Sequence, residues 1–207
     1  MGRRLSEIIS LLFQPLVMPS LIFLFLLYGM QESSIATGGD KNQIFSVIVV
    51  NTLVLPLFMI FILRLTKVIP SVLIEDKKDR IFPFSIISML YFITSYLFYV
   101  KAWVDFTLVF TLFVLTVCLI LLTSITVFWK ISAHMTGVSG LLAIVLVMSL
   151  RYPMVDLLYP LIGVIILSGA IASARLHLNA HSPLEIFGGF LLGFVVCFSS
   201  FYYLLFT

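Results

Sequence analysis

The sequence predicts an all-α integral membrane protein, a polytopic bundle of about seven (six to seven) transmembrane helices in one domain over residues 1–207. Hydrophobic residues make up 62% of the chain and charged residues only 10%, whereas soluble domains are about 45–50% apolar and about 25% charged. The mean hydropathy is +1.23. The apolar residues also lie in long runs separated by short polar breaks. One soluble core cannot bury this much apolar surface.

Seven apolar runs approach the roughly 20 residues that a transmembrane helix needs. The first run carries Pro15 and Pro19, which permit a kink or a re-entrant path. The fifth is the shortest and contains Gly137 and Gly140. In order, the predicted spans are residues 8–29, 44–65, 82–100, 105–129, 133–150, 153–173 and 186–206.

Charge and cysteine content argue against a nucleic-acid-binding protein and against a site built on paired cysteines. The formal net charge of +3 is too small to indicate a nucleic-acid partner, and no basic run is interleaved with aromatics. The two cysteines, Cys118 and Cys197, each lie inside an apolar run and form no CxxC motif. We interpret them as free thiols in the helical core. Membrane lipids are therefore the expected partners, and the oligomeric state stays open.

Seven spans place the polar breaks on alternate membrane faces. One face receives the N-terminus and the breaks at 66–81, 130–132 and 174–185, with nine of the twelve basic residues. The positive-inside rule makes that face cytoplasmic. Five of those nine residues belong to the candidate site, however, and without them the count is four to three. The charge pattern alone therefore leaves the side of the membrane open.

Three polar clusters share that predicted face. The first is EDKKDR, residues 75–80, which reads either as a solvated loop or as a set of cations near a lipid phosphate. The second is KISAH, residues 130–134. The third is the stretch ARLHLNAHSPLEIFGG, residues 174–189. Ionisable groups beside membrane spans are costly and need a reason to be there. Their common face predicts one composite site.

The third cluster places His181 four residues before Glu185. If a helix begins near His181, the carboxylate can accept a hydrogen bond from the imidazole and orient it, as in catalytic dyads. Ser182-Pro-Leu-Glu185 is also a capping box, in which Glu185 only closes a helix start. Both interpretations stay open, because one does not exclude the other. Arg175, near the end of the preceding span, is either an interface anchor or a bidentate phosphate ligand.

The second cluster places His134 at the start of a helix, where Ser132 can act as the cap and leave amide donors for an anion. Two histidines and one carboxylate resemble a zinc triad, but the surrounding cations would repel a metal ion. Phosphate chemistry fits the set better. One histidine would attack phosphorus, the other would protonate the leaving oxygen, and cations would stabilise the equatorial charge.

These residues resemble the type 2 phosphatidic acid phosphatases, which share their site with vanadium haloperoxidases. The third family motif is Ser-Arg, five residues, His, three residues, Asp. Arg175, His181 and Glu185 reproduce its spacing, with Glu in place of Asp and Ala174 in place of Ser. The opening FQPLVMPS and the stretches KISAH and AHSPLEIFGGFLLG are similar to those of compact members from Bacteroidetes-type bacteria.

The other two family motifs match less closely, in the same order along the chain. The second, Pro-Ser-Gly-His, resembles the stretch from Ile131 to His134, in which Ser132 and the histidine remain. The first, Lys, six residues, Arg-Pro, places Arg80, but Pro83 lies two residues late and Leu73 stands at the strict Lys position. Lys77 or Lys78 is then the substitute for the missing lysine.

The resemblance implies a metal-independent membrane lipid phosphatase without a cofactor. In it His181 is the nucleophile that forms a phosphohistidine, Glu185 orients it, and His134 is the general acid. The resemblance also implies a lipid phosphate or diphosphate that enters from the bilayer, such as phosphatidic acid, phosphatidylglycerol phosphate or undecaprenyl diphosphate. The implied phosphate ligands are Arg175, Arg80, Lys77, Lys78 and Ser132.

Two other functions stay open on the same scaffold. The altered second motif and Glu185 fit a non-hydrolytic lipid-phosphate binding or transport protein, whereas a phosphotransferase would pass the phosphate from His181 to an acceptor other than water. The expected location is the bacterial inner membrane, multi-pass. Charge parity favours a cytoplasmic site, while the habit of the family favours a periplasmic one.

Overall fold

The computed structural model describes residues 2–30, 40–70, 77–102 and 104–207, with Lys77 and Lys78 in their backbone only. In these ranges the chain forms helices and turns without a strand. The helices are α1 (Arg3–Leu12), α2 (Val17–Leu24, continued by a π-helical turn, Phe25–Gly29), α3 (Lys41–Val49, joined by a second π-helical turn, Val50–Val54, to α4), α4 (Leu55–Leu65), α5 (Lys77–Lys101), α6 (Phe106–Phe128), α7 (Ala133–Arg151), α8 (Leu158–His177) and α9 (Pro183–Phe206).

Six of the described helical segments are long and apolar enough to cross a membrane, and the bent pair of α1 and α2 makes up to seven. The predicted all-helical class is confirmed for the described residues, and the six apolar helices indicate a multi-pass membrane protein by their length and composition. The run with the weakest sequence signal, residues 133–150, is helix α7, and it is the most buried of the six. Pro15 lies in the break between α1 and α2, where the chain bends by 64°, and this bend fits either the predicted kink or the predicted re-entrant path.

Several helix boundaries differ from the prediction: α5 begins at Lys77 and not at residue 82, and α8 begins at Leu158 and not at residue 153. Two further differences lie at the third polar cluster. The sixth apolar run was predicted to end at residue 173, but α8 continues to His177, so Arg175 and His177 lie in its last turn. The last helix begins at Pro183, three residues earlier than residue 186. The predicted loop of twelve residues, 174–185, therefore shrinks to residues 178–182. Hydropathy locates where apolar side chains stop, whereas the helix itself ends where its backbone is capped.

The chain divides into two compact units, residues 1–18 with 129–207 and residues 19–128. In the first unit α7 is the central helix, packed against α8 and α9, while α1 packs against α8. Pro153 follows α7, and the short connection to α8 makes the two helices antiparallel neighbours. The second unit contains most of α2 together with α3 to α6, and α5 packs on α6.

The closest approach in the first unit is between α7 and α9, and two glycines permit it. A Cβ atom at Gly189 would overlap the Ser132 carbonyl oxygen, and a Cβ at Gly193 would overlap that of Thr136. Small residues at such positions let membrane helices pack backbone to backbone. The GFLLG stretch, a small-xxx-small pattern, thus packs helices within one bundle.

In the second unit a proline and a tyrosine explain how an irregular helix is tolerated. Pro56 has no N–H to donate to the carbonyl of Thr52, four residues earlier, and the chain forms a π-helical turn just before it. The hydroxyl of Tyr91 on α5 donates to that carbonyl at 2.8 Å. Within a membrane a backbone acceptor needs such a donor because no water can replace it.

We expect Gly193→Ala to destabilise the protein by about 1–3 kcal/mol, because the new methyl group overpacks the contact with α7. The matched control is Gly163→Ala on α8, where nothing lies within 4 Å of the added Cβ. That control should be neutral or stabilising, by up to about 1 kcal/mol, from helix propensity. Thermal unfolding in detergent measures both. Equal midpoints for the two variants would contradict the assigned contact.

We expect Tyr91→Phe to cost about 1 kcal/mol, since it leaves the Thr52 carbonyl without the hydroxyl donor. Tyr96→Phe is the control, because Tyr96 is on the same helix and exposed. The free energy of unfolding in mixed micelles is the readout. A loss as large in the Tyr96 variant would show that the effect is not specific to this hydrogen bond.

Candidate functional site

The starts of α7 and α9 lie side by side and are joined by a backbone hydrogen bond. The Ser132 N–H donates to the Glu185 carbonyl at 3.0 Å. Ser132 is the N-cap of α7, and its hydroxyl accepts from the Met135 N–H at 3.4 Å. Ser182 is the N-cap of α9. Two helix N-termini, each with a partial positive charge, therefore lie side by side.

His181 sits immediately before the N-cap of α9 and is 6% exposed. Its Nδ1 lies 3.2 Å from the Lys130 carbonyl oxygen and 3.4 Å from Glu185 Oε2. Both neighbours are acceptors, so Nδ1 must carry a proton and donate it. In the neutral imidazole Nε2 is then the basic nitrogen. The tautomer is thus assigned from the two partners of Nδ1.

Glu185 takes part in both of the arrangements that its spacing left open. Its Oε2 accepts from the Ser182 N–H at 2.9 Å, while the Ser182 hydroxyl accepts from the Glu185 N–H, which completes the capping box. The same Oε2 is the oxygen that faces His181. The route differs from the predicted one, because His181 is not on the helix with Glu185. The cap itself brings the carboxylate to the imidazole.

A capped turn at the end of α8 connects Arg175 to His181. The Ala180 N–H donates to the Arg175 carbonyl at 3.1 Å and the Asn179 N–H donates to the Leu176 carbonyl at 2.9 Å. Asn179 has φ 52°. These are the bonds of a Schellman motif with Asn at the left-handed position. Arg175 is half-buried in the last turn of α8, and its Nε is shielded from solvent.

His134 is the second residue of α7 and is half-buried. Its Nε2 lies 3.1 Å from the carbonyl oxygen of Ser10, in α1. A carbonyl only accepts, so Nε2 carries the proton in this contact. The two candidate histidines are thus both oriented by a main-chain oxygen, His181 through Nδ1 and His134 through Nε2.

The structure brings together five of the eight predicted site residues, in the sense that they occupy the adjoining ends of α7, α8 and α9. The other three belong to α5, in the second unit. Arg80 is its fourth residue and is 7% exposed. Lys77 and Lys78 begin α5, and their side chains lie outside the described residues. The five brought together are Ser132, His134, Arg175, His181 and Glu185.

Sequence reasoning missed the two carbonyls that orient the histidines. Lys130 was noted for its charge, but it contacts His181 through its backbone oxygen. Ser10 lies 124 residues from His134 along the chain and was not considered. A backbone carbonyl has no residue-type signal, so no sequence pattern marks either contact.

Across the described ranges, no three His, Cys, Asp or Glu side chains come close enough together to hold a metal ion. Comparisons of the chain with protein-family models, with curated proteins and with solved structures found no match. The chemistry of the described residues is therefore the basis for a functional proposal.

We expect Glu185→Gln to retain the stability of the protein, because a glutamine at this position still accepts from the Ser182 N–H. Glu185→Ala removes the acceptor, and we expect it to cost on the order of 1 kcal/mol. Thermal unfolding of the two variants in detergent tests this. If Gln were as costly as Ala, the charge facing His181, and not the cap, would be the stabilising element.

Proposed function

We propose that the chain is a membrane lipid phosphatase of the type 2 phosphatidic acid phosphatase superfamily, acting through a phosphohistidine. The observation that carries the proposal is the environment of the His181 imidazole. Acceptors on Nδ1 leave Nε2 as the basic, nucleophilic nitrogen of a buried ring. A nucleophile held by an orienting acceptor is the arrangement of covalent catalysis.

In the first step Nε2 of His181 attacks phosphorus. A nitrogen–phosphorus bond forms while the bond from phosphorus to the lipid oxygen breaks. The carboxylate of Glu185 beside Nδ1–H stabilises the positive charge that develops on the ring. His134 gives a proton to the leaving oxygen. Its Nε2–H is held by Ser10, so Nδ1 of the imidazolium is the donor in this proposal.

In the second step His134, now neutral, takes a proton from water, and the resulting hydroxide attacks the phosphohistidine. The nitrogen–phosphorus bond breaks, inorganic phosphate leaves, and His181 returns to its first state. Acid–base assistance of this kind contributes about 10²–10⁴ in rate.

Phosphate binding has three sources of support in the first unit. The adjoining N-termini of α7 and α9 supply amide donors and positive potential, which suit an anion. Arg175 lies in the last turn of α8, beside the turn that carries His181. Ser132 is a fully buried cap, and it contributes by fixing the start of α7, where the amides around His134 lie. Its direct contact with phosphate stays a prediction.

Arg80, Lys77 and Lys78 remain proposed phosphate ligands on sequence grounds. Their predicted membrane face depends on the four helices between the clusters, α5 to α8. All four are among the helices long and apolar enough to cross a membrane, and an even number of crossings returns a chain to the same face. This prediction does not depend on whether the bent pair of α1 and α2 crosses.

The proposed location is the bacterial inner membrane, with substrate entering from the lipid. Phosphatidylglycerol phosphate is the favoured class for a cytoplasmic site and undecaprenyl diphosphate for a periplasmic one. Reporter fusions at the C-terminus, beyond α9 and thus on the face opposite the site, decide between them.

The direct test is phosphate release by His181→Ala in detergent micelles, with phosphatidic acid, phosphatidylglycerol phosphate and undecaprenyl diphosphate as substrates. We expect release to be abolished, because the nucleophile is gone, and unaffected by EDTA. His177→Ala is the matched control, since His177 is an exposed histidine at the end of α8, four residues before His181. It should keep nearly full activity.

Three other results would redirect the proposal. Full activity in His181→Ala would rule out the phosphohistidine. A wild-type protein that binds the lipid phosphates but releases none would indicate a binding or transport protein. A phosphorylated lipid acceptor in place of inorganic phosphate would indicate a phosphotransferase.

A further inference from the structure

Helix α1 has three stripes of different chemistry along its ten residues. At 100° per residue, Ser6 and Ser10 share one stripe, and Ser6 is fully buried. Arg3 and Glu7 share a second, where they form an exposed ion pair at 3.1 Å. The third stripe is apolar and exposed. It consists of Leu5, Ile8 and Leu12.

This pattern inverts that of a helix on a soluble protein. There the apolar stripe faces the core and the polar one faces water. In α1 the serine stripe faces the protein, since Ser6 is buried and the helix packs against α8. The leucine and isoleucine side chains point away from it, and between half and two thirds of each is exposed. The described part of the chain therefore does not cover the apolar stripe, and another apolar partner must.

Hydrocarbon is the occupant that fits. Helix α8 is one of the candidate membrane spans and the least buried of the six, so its outer surface faces lipid. Helix α1 packs on it, so the exposed apolar stripe of α1 belongs to a helix that adjoins a membrane span. Ten residues extend about 15 Å, half of the roughly 30 Å of a bilayer core. With Arg3, Arg4 and Glu7 on the helix, α1 suits the interface plane.

The position of Ser10 says at which interface the helix lies. Its carbonyl contacts His134 at the N-terminal end of α7. That end carries the Ser132 cap and adjoins the start of α9. Helix α1 therefore lies at the membrane surface where α7 begins, with Ser10 beside His134.

We propose that α1 is an in-plane membrane helix whose leucine and isoleucine stripe inserts among acyl chains, and that this insertion holds the Ser10 carbonyl against the His134 imidazole. Lipid contact on one side of the helix is thus linked to the orientation of a histidine on the other. The position of α1 and its contact with His134 do not depend on the proposed phosphatase activity.

The placement is tested with nitroxide labels at Ile8→Cys and Glu7→Cys in the full chain, in vesicles of phosphatidylethanolamine and phosphatidylglycerol. Both native cysteines are buried, so the introduced thiol is the reactive one. We expect the label at residue 8 to collide with oxygen severalfold more than with a water-soluble nickel chelate, and the label at residue 7 to show the reverse.

Two outcomes would overturn the placement. Equal ratios at residues 7 and 8 would mean that α1 is entirely in water or entirely in hydrocarbon. A label at residue 8 that is shielded from both reagents would mean that protein, such as a second copy of the chain, covers the stripe.

The link to His134 is tested by comparing Leu12→Glu with Leu11→Glu. The two leucines are adjacent and similarly exposed, at 60% and 66%, but Leu11 lies near Arg4 and outside the apolar stripe. The readout is the rate at which diethyl pyrocarbonate modifies His134 in vesicles, resolved by mass spectrometry. We expect a severalfold faster rate in Leu12→Glu, because a charge pulls α1 out of the lipid and releases the imidazole, and an unchanged rate in Leu11→Glu.

The other two histidines serve as internal references. His177 is exposed and sets the reagent's maximal rate, while His181 is buried and should stay protected if the fold is intact. Equal His134 rates in the two variants, with His181 still protected, would refute the link. If His181 became reactive in Leu12→Glu, the milder Leu12→Ser would replace it, with the same two outcomes.

Discussion

The close packing of α7 against α9 is the contact on which the candidate site depends. Lipid tails are as apolar as leucine, so membrane helices gain little from hydrophobic burial and associate through close packing and hydrogen bonds. Gly189 and Gly193 allow backbone contact, and the Ser132 N–H completes the join by donating to Glu185. Through that contact the positions of His134 and His181 become dependent on each other.

Main-chain oxygens orient both histidines, and this economises on charge in a setting where charge is costly. A carbonyl fixes a tautomer without an ionised group. The one carboxylate present, Glu185, is itself stabilised by the Ser182 N–H and by the positive end of α9. Its single oxygen Oε2 serves the helix cap and the imidazole together. The same carboxylate oxygen therefore caps α9 and orients His181.

Much of the architecture was predictable because it depends on local properties. Span number follows from the length of apolar runs, and the capping box was predicted from the three-residue spacing between Ser182 and Glu185. Helix ends were predicted less well. Arg175 ends the apolar run, but α8 continues to His177, because the helix is stopped by a Schellman turn at Asn179 and not by polarity. The π-helical turn before Pro56 was not predicted, since its tolerance depends on Tyr91, 35 residues further along the chain.

By itself the sequence determined a multi-pass helical membrane protein, the capped start of its last helix, and the set of histidines, carboxylate and cations near that start. Hydrophobicity and capping act over a few residues, so neighbouring residues in the sequence are enough to predict them. Only the tertiary structure decided which nitrogen of each imidazole carries the proton, because Lys130 and Ser10 contribute backbone oxygens that every residue possesses. The tertiary structure also decided the orientation of α1, which the sequence showed only as the start of an apolar run. Because α1 packs against α8, its serines face the protein and its leucines face outward.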